Sequence, residues 1–376
     1  MRSPAKGLDL DVTKTKLIRL SPTKEQKKQF KHWTDGSRRI FNLTIDYIRS
    51  CVGFIPHWMD IKKDMKSFVP YFFDDIPYQV KAIAVKEAHA AFFAAKGRPK
   101  FRALKDPEQS CFIPKSAIKE TGIYVRLTGK GLRYHEALPE FFMDSRLIWR
   151  FEKWWLAVPH KEKLSIAKNQ GRTVAIDPGV RSFASFYSNT LAGRIADGDF
   201  GRIQRLCFHL DRLLSKRDKS KNKQRKRVLS KAAKRMRAKI KHLIKELHHK
   251  TAKFLTDNFD VILLPTFETM NMASKAGRKI GKKSVRSMLT FSHYMFKTFL
   301  KWKAHCTGKM VIDCNEAFTS KTHPETGRLV NIGSKKQIPL QDGSIADRDI
   351  IGARNILLRA LVDTPMGCKF RAVSNR

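Results

Sequence analysis

Carboxylates that could act on a phosphodiester stand at two places in this sequence. Asp177 ends a short apolar run, beside a glycine, in "TVAIDPGVRSFASF". Asp347 and Asp349 lie in "ADRDIIGAR", at the start of the last predicted helix. Hydrolysis of a phosphodiester requires stabilisation of the attacking and leaving oxygens, and two Mg²⁺ ions about 4 Å apart, held by a few carboxylates, provide it. These acids are therefore candidates for a metal-dependent nuclease site.

Each of these acids also has an ordinary structural explanation. Asp-Pro-Gly is a common turn sequence, and acids at a helix N-terminus cap its free N–H groups and complement its dipole. The combination is more informative than either part. An acid on the first strand with an acid on the last helix is the layout of the RNase H-like nuclease fold, in particular its RuvC-like branch.

The charge of the chain predicts a polyanionic partner. Among 376 residues, 76 Lys and Arg face 34 Asp and Glu, a formal net charge of +42. Such a surplus favours nucleic acid first and an anionic membrane a distant second. No signal peptide is visible, and no apolar run reaches the roughly 20 residues of a membrane span. The six cysteines form no CxxC pair, which indicates reduced thiols and no thiolate zinc site.

The first part of the chain is predicted to combine strands and helices. "TKLIRL" reads as a strand, and "SPTKEQKKQFKHW" as a helix capped by Ser21 with Pro22 at its first position. A separate helix is predicted over "SRRIFNLTIDYIRS" and another over residues 79–95. Residues 99–165 contain short runs such as "GIYVRL" and "KWWLAVP", which predict a β-rich module.

The second part has an α/β order. A hairpin over 173–190 is followed by two helical stripes, and the segment 216–241 between them holds 14 Lys or Arg and one acid. "FDVILLP" and "KMVIDC" read as buried strands on either side of a helix over 285–304, before the amphipathic helix "DRDIIGARNILLRAL". This order predicts a mixed sheet with helices on its faces.

Five stretches in this part resemble, in order, the RuvC-like core of TnpB proteins, and most closely their eukaryotic and viral relatives, the Fanzor proteins. They are "AIDPGVRSFASF", "VILLPTFETMNM", "VRSMLTFSHYMF", "NEAFTSKTH" and "DRDIIGARNIL". With "SRRIFNLTI" and "FRALKDPEQSCFIPKSAI" upstream, the similarity covers roughly residues 30–360. It implies an RNA-guided DNA endonuclease with a guide RNA of the omega-RNA type, double-stranded target DNA and one Mg²⁺-dependent site that holds two ions.

The resemblance also implies an α+β multidomain fold. Residues 1–168 would form a β-barrel-like, wedge-like module with a helical recognition insertion at about 35–98. Residues 169–376 would form the RuvC-like domain, with a helical insertion at about 202–257 and a degenerate zinc-ribbon region at about 320–346. We expect a monomeric ribonucleoprotein without a membrane partner. "KRDKSKNKQRKR" predicts nuclear import in a eukaryotic host; otherwise the expected location is cytoplasmic, and secretion is not expected.

Three departures from the TnpB pattern affect the predicted site. Pro265 stands where TnpB proteins have their second active-site acid. The resemblance to Fanzor proteins implies that this acid is replaced by a glutamate about fifty residues later in the sequence, here Glu316. The predicted Mg²⁺ ligands are thus Asp177, Glu316 and Asp349, with Glu268 and Asp347 as alternates. The zinc-ribbon region contains no cysteine and one histidine, so no zinc is expected. Ile351 stands where the family usually has asparagine.

Nucleic-acid contacts are predicted at two groups of cations. The aromatic side chains stand at helical or strand spacing, which is more typical of a core; if any of them stacks on unpaired bases, Trp154 or Trp155 is the candidate. Two alternatives to the nuclease stay open: a guided DNA-binding protein without nuclease activity, and a non-catalytic RNA-binding protein. The cations are Arg286 and Lys321, at matching family positions, and Lys223, Arg225, Arg227, Lys234 and Arg237 of the basic helical segment.

Overall fold

The computed structural model divides the chain into two compact units, Met1–Lys163 and Leu164–Arg376. The structure describes residues 11–164, 171–179, 182–197, 199–265, 281–314, 322–329, 337–340 and 342–363.

The first unit is built on a five-stranded antiparallel sheet in the order β2-β6-β7-β1-β5. Its long strands β1 and β7 pair from Asp11↔Lys163 to Leu20↔Trp154. Strands β2 and β5 lie at the two edges, so the described strands do not close into a barrel. The strands are β1 (Asp11–Ser21), β2 (Glu108–Ile113), β5 (Arg133–Tyr134), β6 (Ser145–Arg150) and β7 (Lys153–Lys163), with a separate ribbon of β3 (Ile118–Lys119) and β4 (Gly122–Ile123).

Four helices lie between β1 and β2, and the first of them is longer than predicted. The two helices expected near its residues form one helix, because Gly36 does not interrupt it but packs directly against the Ile76 side chain. The cap is also different: Thr23 and Gln26 form a capping box, and Ser21 ends β1. The helices are α1 (Lys24–Ser50), α2 (Trp58–Lys63), α3 (Met65–Phe68) and α4 (Tyr78–Ala94), with α5 (Val125–Thr128) after β4.

One further prediction for the first unit is wrong. The run "GIYVRL" is not one strand, because Tyr124 has a positive φ of 48° and the chain turns there from β4 into α5. Trp154 is buried in the core of this unit against Phe30, so of the two stacking candidates it follows the core reading that the spacing favours.

The second unit contains a mixed sheet in the order β10-β9-β8-β11-β12. Strands β8, β11 and β12 are parallel, and β8 and β9 form the predicted hairpin. The prediction that "KMVIDC" is buried is wrong, because β12 is an edge strand with partly exposed side chains. The strands are β8 (Thr173–Pro178), β9 (Ala184–Ser188), β10 (Ala192–Ile195), β11 (Val261–Pro265) and β12 (Met310–Cys314), with a separate hairpin of β13 (Gln337–Pro339) and β14 (Ile345–Asp347).

Helices cover both faces of this sheet. Alternate residues of β8 face opposite sides, so Val174 joins the core formed with α6, α7 and α9, whereas Ala175 packs with Ile356 of α10. The single helix predicted over 285–304 is two helices, broken at Ser292, whose φ is 53°. No helix in the described ranges is both long and apolar enough to span a bilayer. The helices are α6 (Asp199–Lys219), α7 (Lys223–Asn258), α8 (Lys282–Phe291), α9 (His293–Cys306) and α10 (Arg348–Asp363).

Candidate active site

Asp177 lies near the carboxyl end of β8, the central strand of the second sheet. By the alternation of side chains along a strand, it shares a face with Ala175 and therefore faces α10. Its cross-strand partner is Ser185 of β9. The sheet thus directs this carboxylate towards the helix that carries the other candidate acids.

Gly352 allows α10 to approach the carboxylate closely. A Cβ atom built at Gly352 would lie 2.6 Å from Oδ2 of Asp177, so any side chain there would force the carboxylate or the helix to move. Asp349 lies three residues earlier on the same helix, so its Cβ is about 5–6 Å from that of residue 352 and on the same face. The structure therefore brings the two predicted ligands Asp177 and Asp349 to one side of α10. Gly352 was not identified as a site residue from the sequence. A glycine inside a predicted helix costs about 1 kcal/mol relative to alanine, so its presence was a sign of close packing or function at this position.

Asp347 serves as the cap of α10. Its Oδ1 accepts hydrogen bonds from the backbone N–H of Asp349 at 2.9 Å and of Ile350 at 3.3 Å. Its Oδ2 forms an ion pair with Arg194 of β10. Both oxygens of this alternate ligand are thus already engaged in holding the start of the helix.

The ends of three parallel strands lie at one level. Leu263 of β11 is in register with Ala175 of β8, and Pro265 of β11 with Cys314 of β12. Continuing the register places Pro265 beside Asp177, where β11 offers no carboxylate. The other predicted site residues, Glu268, Glu316 and Lys321, lie outside the described residues.

His293 contacts the backbone that follows Asp177. Its Nε2–H donates to the carbonyl oxygen of Gly179 at 3.1 Å, and its ring stacks on Phe183 with centroids 5.0 Å apart. Burial lowers the pKa of His293 to about 4, against the opposing effect of its hydrogen bond to the Gly179 carbonyl oxygen. The imidazole is therefore neutral near pH 7, and it ties the first turn of α9 to the loop after the catalytic candidate. His293 lies in the stretch "VRSMLTFSHYMF", and its sequence context gave no indication of this contact.

Arg286 of α8 is held by an acid. Its guanidinium forms a bidentate ion pair with Asp211 of α6 and donates to the carbonyl oxygen of Cys207 at 3.3 Å. The hydrogen bond with Asp211 is the main reason that the pKa of Arg286 is raised. Arg286, which the sequence predicts to bind phosphate, therefore pairs with a carboxylate of the protein itself when no nucleic acid is bound.

The predicted cations of the basic segment line α7. All five side chains are exposed, and none is ion-paired with an acid in the described part of the chain. The first and last of these cations, Lys223 and Arg237, are 14 positions apart, so they are separated by about 21 Å along the axis of α7. The segment therefore presents an uncompensated positive surface. It consists of Lys223, Arg225, Arg227, Lys234 and Arg237.

Hydrogen bonds of His323 organise the predicted zinc-ribbon region where it is described. Its Nε2–H donates to Pro339 at 3.2 Å, and its Nδ1 accepts from the backbone N–H of Glu325 and Thr326 at 3.4 and 3.5 Å. Two side chains of α10 bind the same segment: Arg354 donates to Pro324 and Asn355 to Thr322. Within the described ranges, no group of three His, Cys, Asp or Glu residues could hold a metal ion.

Ile351, at the position where the TnpB pattern usually has asparagine, also contacts the predicted zinc-ribbon region. It is buried and packs with Ile338 of β13 and Ala346 of β14. Its side chain therefore fills a small apolar cluster below the hairpin, and an amide would be buried there at a cost.

Comparison with known proteins places this arrangement in context. Residues 293–356 match the model of the Cas12f1-like TNB domain. The chain is 34% identical over 206 residues to the mimivirus protein named "Putative transposase R186" (Acanthamoeba polyphaga mimivirus), which covers 54% of this chain and 42% of that protein. It is 26% identical over 210 residues to the TnpB-like protein L79 of the same virus, covering 54% and 40%. The resemblance to TnpB-like proteins is confirmed. The chain spans less than half the length of these two relatives.

The fold of this TnpB-like chain also matches a solved structure. Superposition on the chain in the cryo-EM structure of the Cas12f1-sgRNA-target DNA complex gives a TM-score of 0.56, with 93% of this chain and 99% of that chain covered. Since the sequence identity is only 11%, this match concerns the fold alone. It confirms the mixed α/β class predicted from the sequence.

Proposed function

We propose that this chain is an RNA-guided DNA endonuclease with a RuvC-like site, and that it hydrolyses phosphodiester bonds with Mg²⁺. The observation that carries the proposal is the contact of the Asp177 carboxylate with α10 at Gly352, one turn from Asp349. Any side chain at position 352 would displace the Asp177 carboxylate or the helix, and the close approach gathers two acids in a chain where acids are outnumbered by Lys and Arg, 34 to 76. A purely structural role for Asp177 leaves this approach unexplained.

The donor set fits a hard divalent cation. Asp177 and Asp349 supply carboxylate oxygens, which Mg²⁺ prefers, from a strand end and from a helix that packs on that strand. When bound, a pair of Mg²⁺ ions would activate water for in-line attack and stabilise the leaving oxygen. The protein holds the two carboxylates in place: α10 is fixed by the Asp347 cap and the Arg194 ion pair, and the loop after Asp177 by His293.

Glu316 is the third ligand in this proposal. It follows Cys314 by two residues in the sequence, and Cys314 ends β12 in register with Pro265. Two residues reach at most about 7 Å, and neighbouring strands are about 4.8 Å apart, so the chain is long enough to bring a glutamate here to the end of β11. The end of β8 lies two strands from β12, about 9.6 Å away, and the glutamate side chain would have to span the remaining distance. Glu268, three residues past Pro265, is the competing candidate.

We propose guide RNA and double-stranded DNA as partners. Support comes from the uncompensated positive surface of α7, since Lys and Arg without acidic partners bind phosphates. The fold match adds that the Cas12f1 chain was solved with single-guide RNA and target DNA. In this proposal one chain binds one guide, pairing of the guide selects the target, and the run "KRDKSKNKQRKR" also directs nuclear import in a eukaryotic host.

One observation favours a second candidate, a guided DNA-binding protein that does not cut. Pro265 occupies the strand end next to Asp177, where TnpB has its acid, and proline has no oxygen that could replace it. A non-catalytic RNA-binding protein ranks third, because it leaves the Asp177–Gly352 contact without a purpose.

A cleavage assay with substitutions of single acids tests the proposal. The protein, co-purified with RNA from its own locus, is incubated with a target plasmid in Mg²⁺ or in EDTA. We expect cutting by the wild type in Mg²⁺ only, loss of cutting in Asp177→Ala and Glu316→Ala, and retention in Glu268→Ala. Glu246→Ala, which removes an exposed acid of α7, is the matched control. Guided binding without cutting by the wild type would support the second candidate instead.

A further inference from the structure

A cavity between α6 and α8 has the features of a site for an unpaired nucleotide. It has a volume of about 470 Å³, within the range of small-molecule sites. Its wall combines an aromatic ring, Phe208, with the guanidinium of Arg286 and the polar side chains of Gln204 and Ser287, which are hydrogen-bonded to each other at 3.4 Å. An aromatic platform beside cations is the usual arrangement for single-stranded nucleic acid.

Phe208 is 57% exposed, so part of its ring is accessible to a ligand. The guanidinium of Arg212 lies over its ring, 4.8 Å from the centroid. Arg205 also lines the cavity, so three arginines surround it against one acid, Asp211. A nucleobase placed on Phe208 would gain both stacking and cation contacts, and its phosphate would meet positive charge.

The ion pair of Arg286 with Asp211 is suited to exchange. Both side chains are nearly half exposed, at 45% and 46%, and an exposed ion pair contributes at most about 1 kcal/mol. A phosphate carries charge and acceptor oxygens in the same bidentate geometry as the carboxylate, so it can replace Asp211 at Arg286. Asp211 therefore keeps the guanidinium oriented towards the cavity while no nucleic acid is bound.

The cavity is physically connected to the candidate active site. Phe291 forms part of its wall and packs against Phe183 with centroids 5.5 Å apart, and Phe183 stacks on His293. His293 in turn binds Gly179, two residues after Asp177. A nucleotide in the cavity would thus be linked to the loop that carries the proposed metal ligand through the packed rings of Phe291, Phe183 and His293.

We propose that this cavity binds one unpaired nucleotide of the strand that enters the active site, with its base on Phe208 and its phosphate at Arg286. This deepens the proposed function and rests on it only for the identity of the strand. Stacking is indifferent to the sugar, so DNA and RNA strands share the chemistry and the experiment separates them.

A binding assay in EDTA tests the site without any cutting. Single-stranded DNA and RNA oligonucleotides that carry 2-aminopurine, whose fluorescence falls on stacking, are titrated with the protein–guide RNA complex. We expect DNA to bind with quenching, Phe208→Ala to weaken binding about tenfold and abolish quenching, and Phe208→Trp to restore both. Asp211→Asn should tighten binding several-fold by releasing Arg286. Leu289→Ala, a similarly exposed apolar residue of α8, is the control and should bind as the wild type does.

The outcomes separate this proposal from the proposed function. Unchanged DNA affinity and quenching in Phe208→Ala would overturn the nucleotide site even if the wild type cuts DNA. Equal loss in Phe208→Ala and Leu289→Ala would mean a general effect on α6 and α8 and would also overturn it. Quenching of the RNA probe only would reassign the site to the guide strand and contradict the proposed occupant. The expected binding pattern without cutting would retain the site and remove the nuclease.

Discussion

Replacing Gly352 by alanine should separate catalysis from stability. The new Cβ would meet Oδ2 of Asp177 at 2.6 Å, whereas ordinary contacts begin at 3.4 Å, so the carboxylate or the helix must move by about 0.8 Å. A displacement of about 1 Å in a catalytic group can reduce the rate about 100-fold. Alanine also raises helix propensity by about 1 kcal/mol, which offsets part of the cost of the clash. We therefore expect cutting to fall about 100-fold while the free energy of unfolding changes by no more than about 1 kcal/mol.

The assay compares cleavage rates of a guided plasmid with urea unfolding of the same preparations. Gly201→Ala on α6 is the matched control, because the same change there meets only the end of the Arg205 side chain at 3.7 Å. It should cut like the wild type. Wild-type cutting by Gly352→Ala would refute the reasoning, since it would mean that the position of the Asp177 carboxylate does not matter for the reaction. Unfolding of Gly352→Ala would instead show that the clash cannot be relieved locally.

Three further predictions concern His293, a buried ion pair and the cations of α7. His293→Phe keeps the ring on Phe183 but loses the hydrogen bond to Gly179, so its cutting should fall about tenfold, whereas His293→Gln, which keeps an N–H donor, should retain most activity. The folded-state pKa of His293, about 4, is below its ordinary 6.5, so stability should be lost as pH falls from 6.5 towards 4, and His293→Phe should flatten that loss in urea titrations. Asp260→Asn removes the carboxylate that pairs with the buried Lys309, so it should lower the free energy of unfolding by roughly 3–5 kcal/mol. A loss below about 1 kcal/mol would show that the Asp260–Lys309 pair does not stabilise the fold as expected. Removing three cations of α7 should reduce the slope of log affinity for RNA against log salt by about 3, and an unchanged slope would place RNA elsewhere. The triple variant is Lys223→Ala, Arg227→Ala and Lys234→Ala.

The sequence was sufficient for those elements whose signals are local. The short apolar run with turn residues after it in "TVAIDPGVRSFASF" predicted the β8–β9 hairpin, and the apolar stripes at helical spacing predicted α6 and α7. Errors arose where one residue has two local explanations. Gly36 reads as a helix breaker, but tertiary contact with Ile76 retains it within α1. Ser292 reads as an ordinary helical residue, yet it adopts a positive φ that divides α8 from α9.

The site was predictable only in part for a related reason. Residue type and order identify Asp177 and Asp349 as candidate ligands, and spacing cannot show that Gly352 lies against the first of them. That contact depends on how α10 packs on β8, a long-range arrangement without a local signature. The role of Asp347 is similar: its position at a helix start allowed both capping and metal binding, and the hydrogen bonds to the amides of Asp349 and Ile350 with the Arg194 ion pair favour capping.

The predicted zinc-ribbon region affects how the loss of cutting in EDTA is interpreted. Residues 320–346 contain no cysteine. Within the described part, His323 joins the segment to Pro339 of β13, and hydrogen bonds from Arg354 and Asn355 attach it to α10. If these bonds replace a structural metal, EDTA should stop cutting without changing the thermal unfolding midpoint of the protein. A midpoint lowered by EDTA would mean that a metal stabilises the fold, and loss of cutting in EDTA would then no longer point to the site of Asp177 and Asp349. Arg354→Ala should lower the midpoint in both conditions alike, because it breaks the attachment without involving a metal.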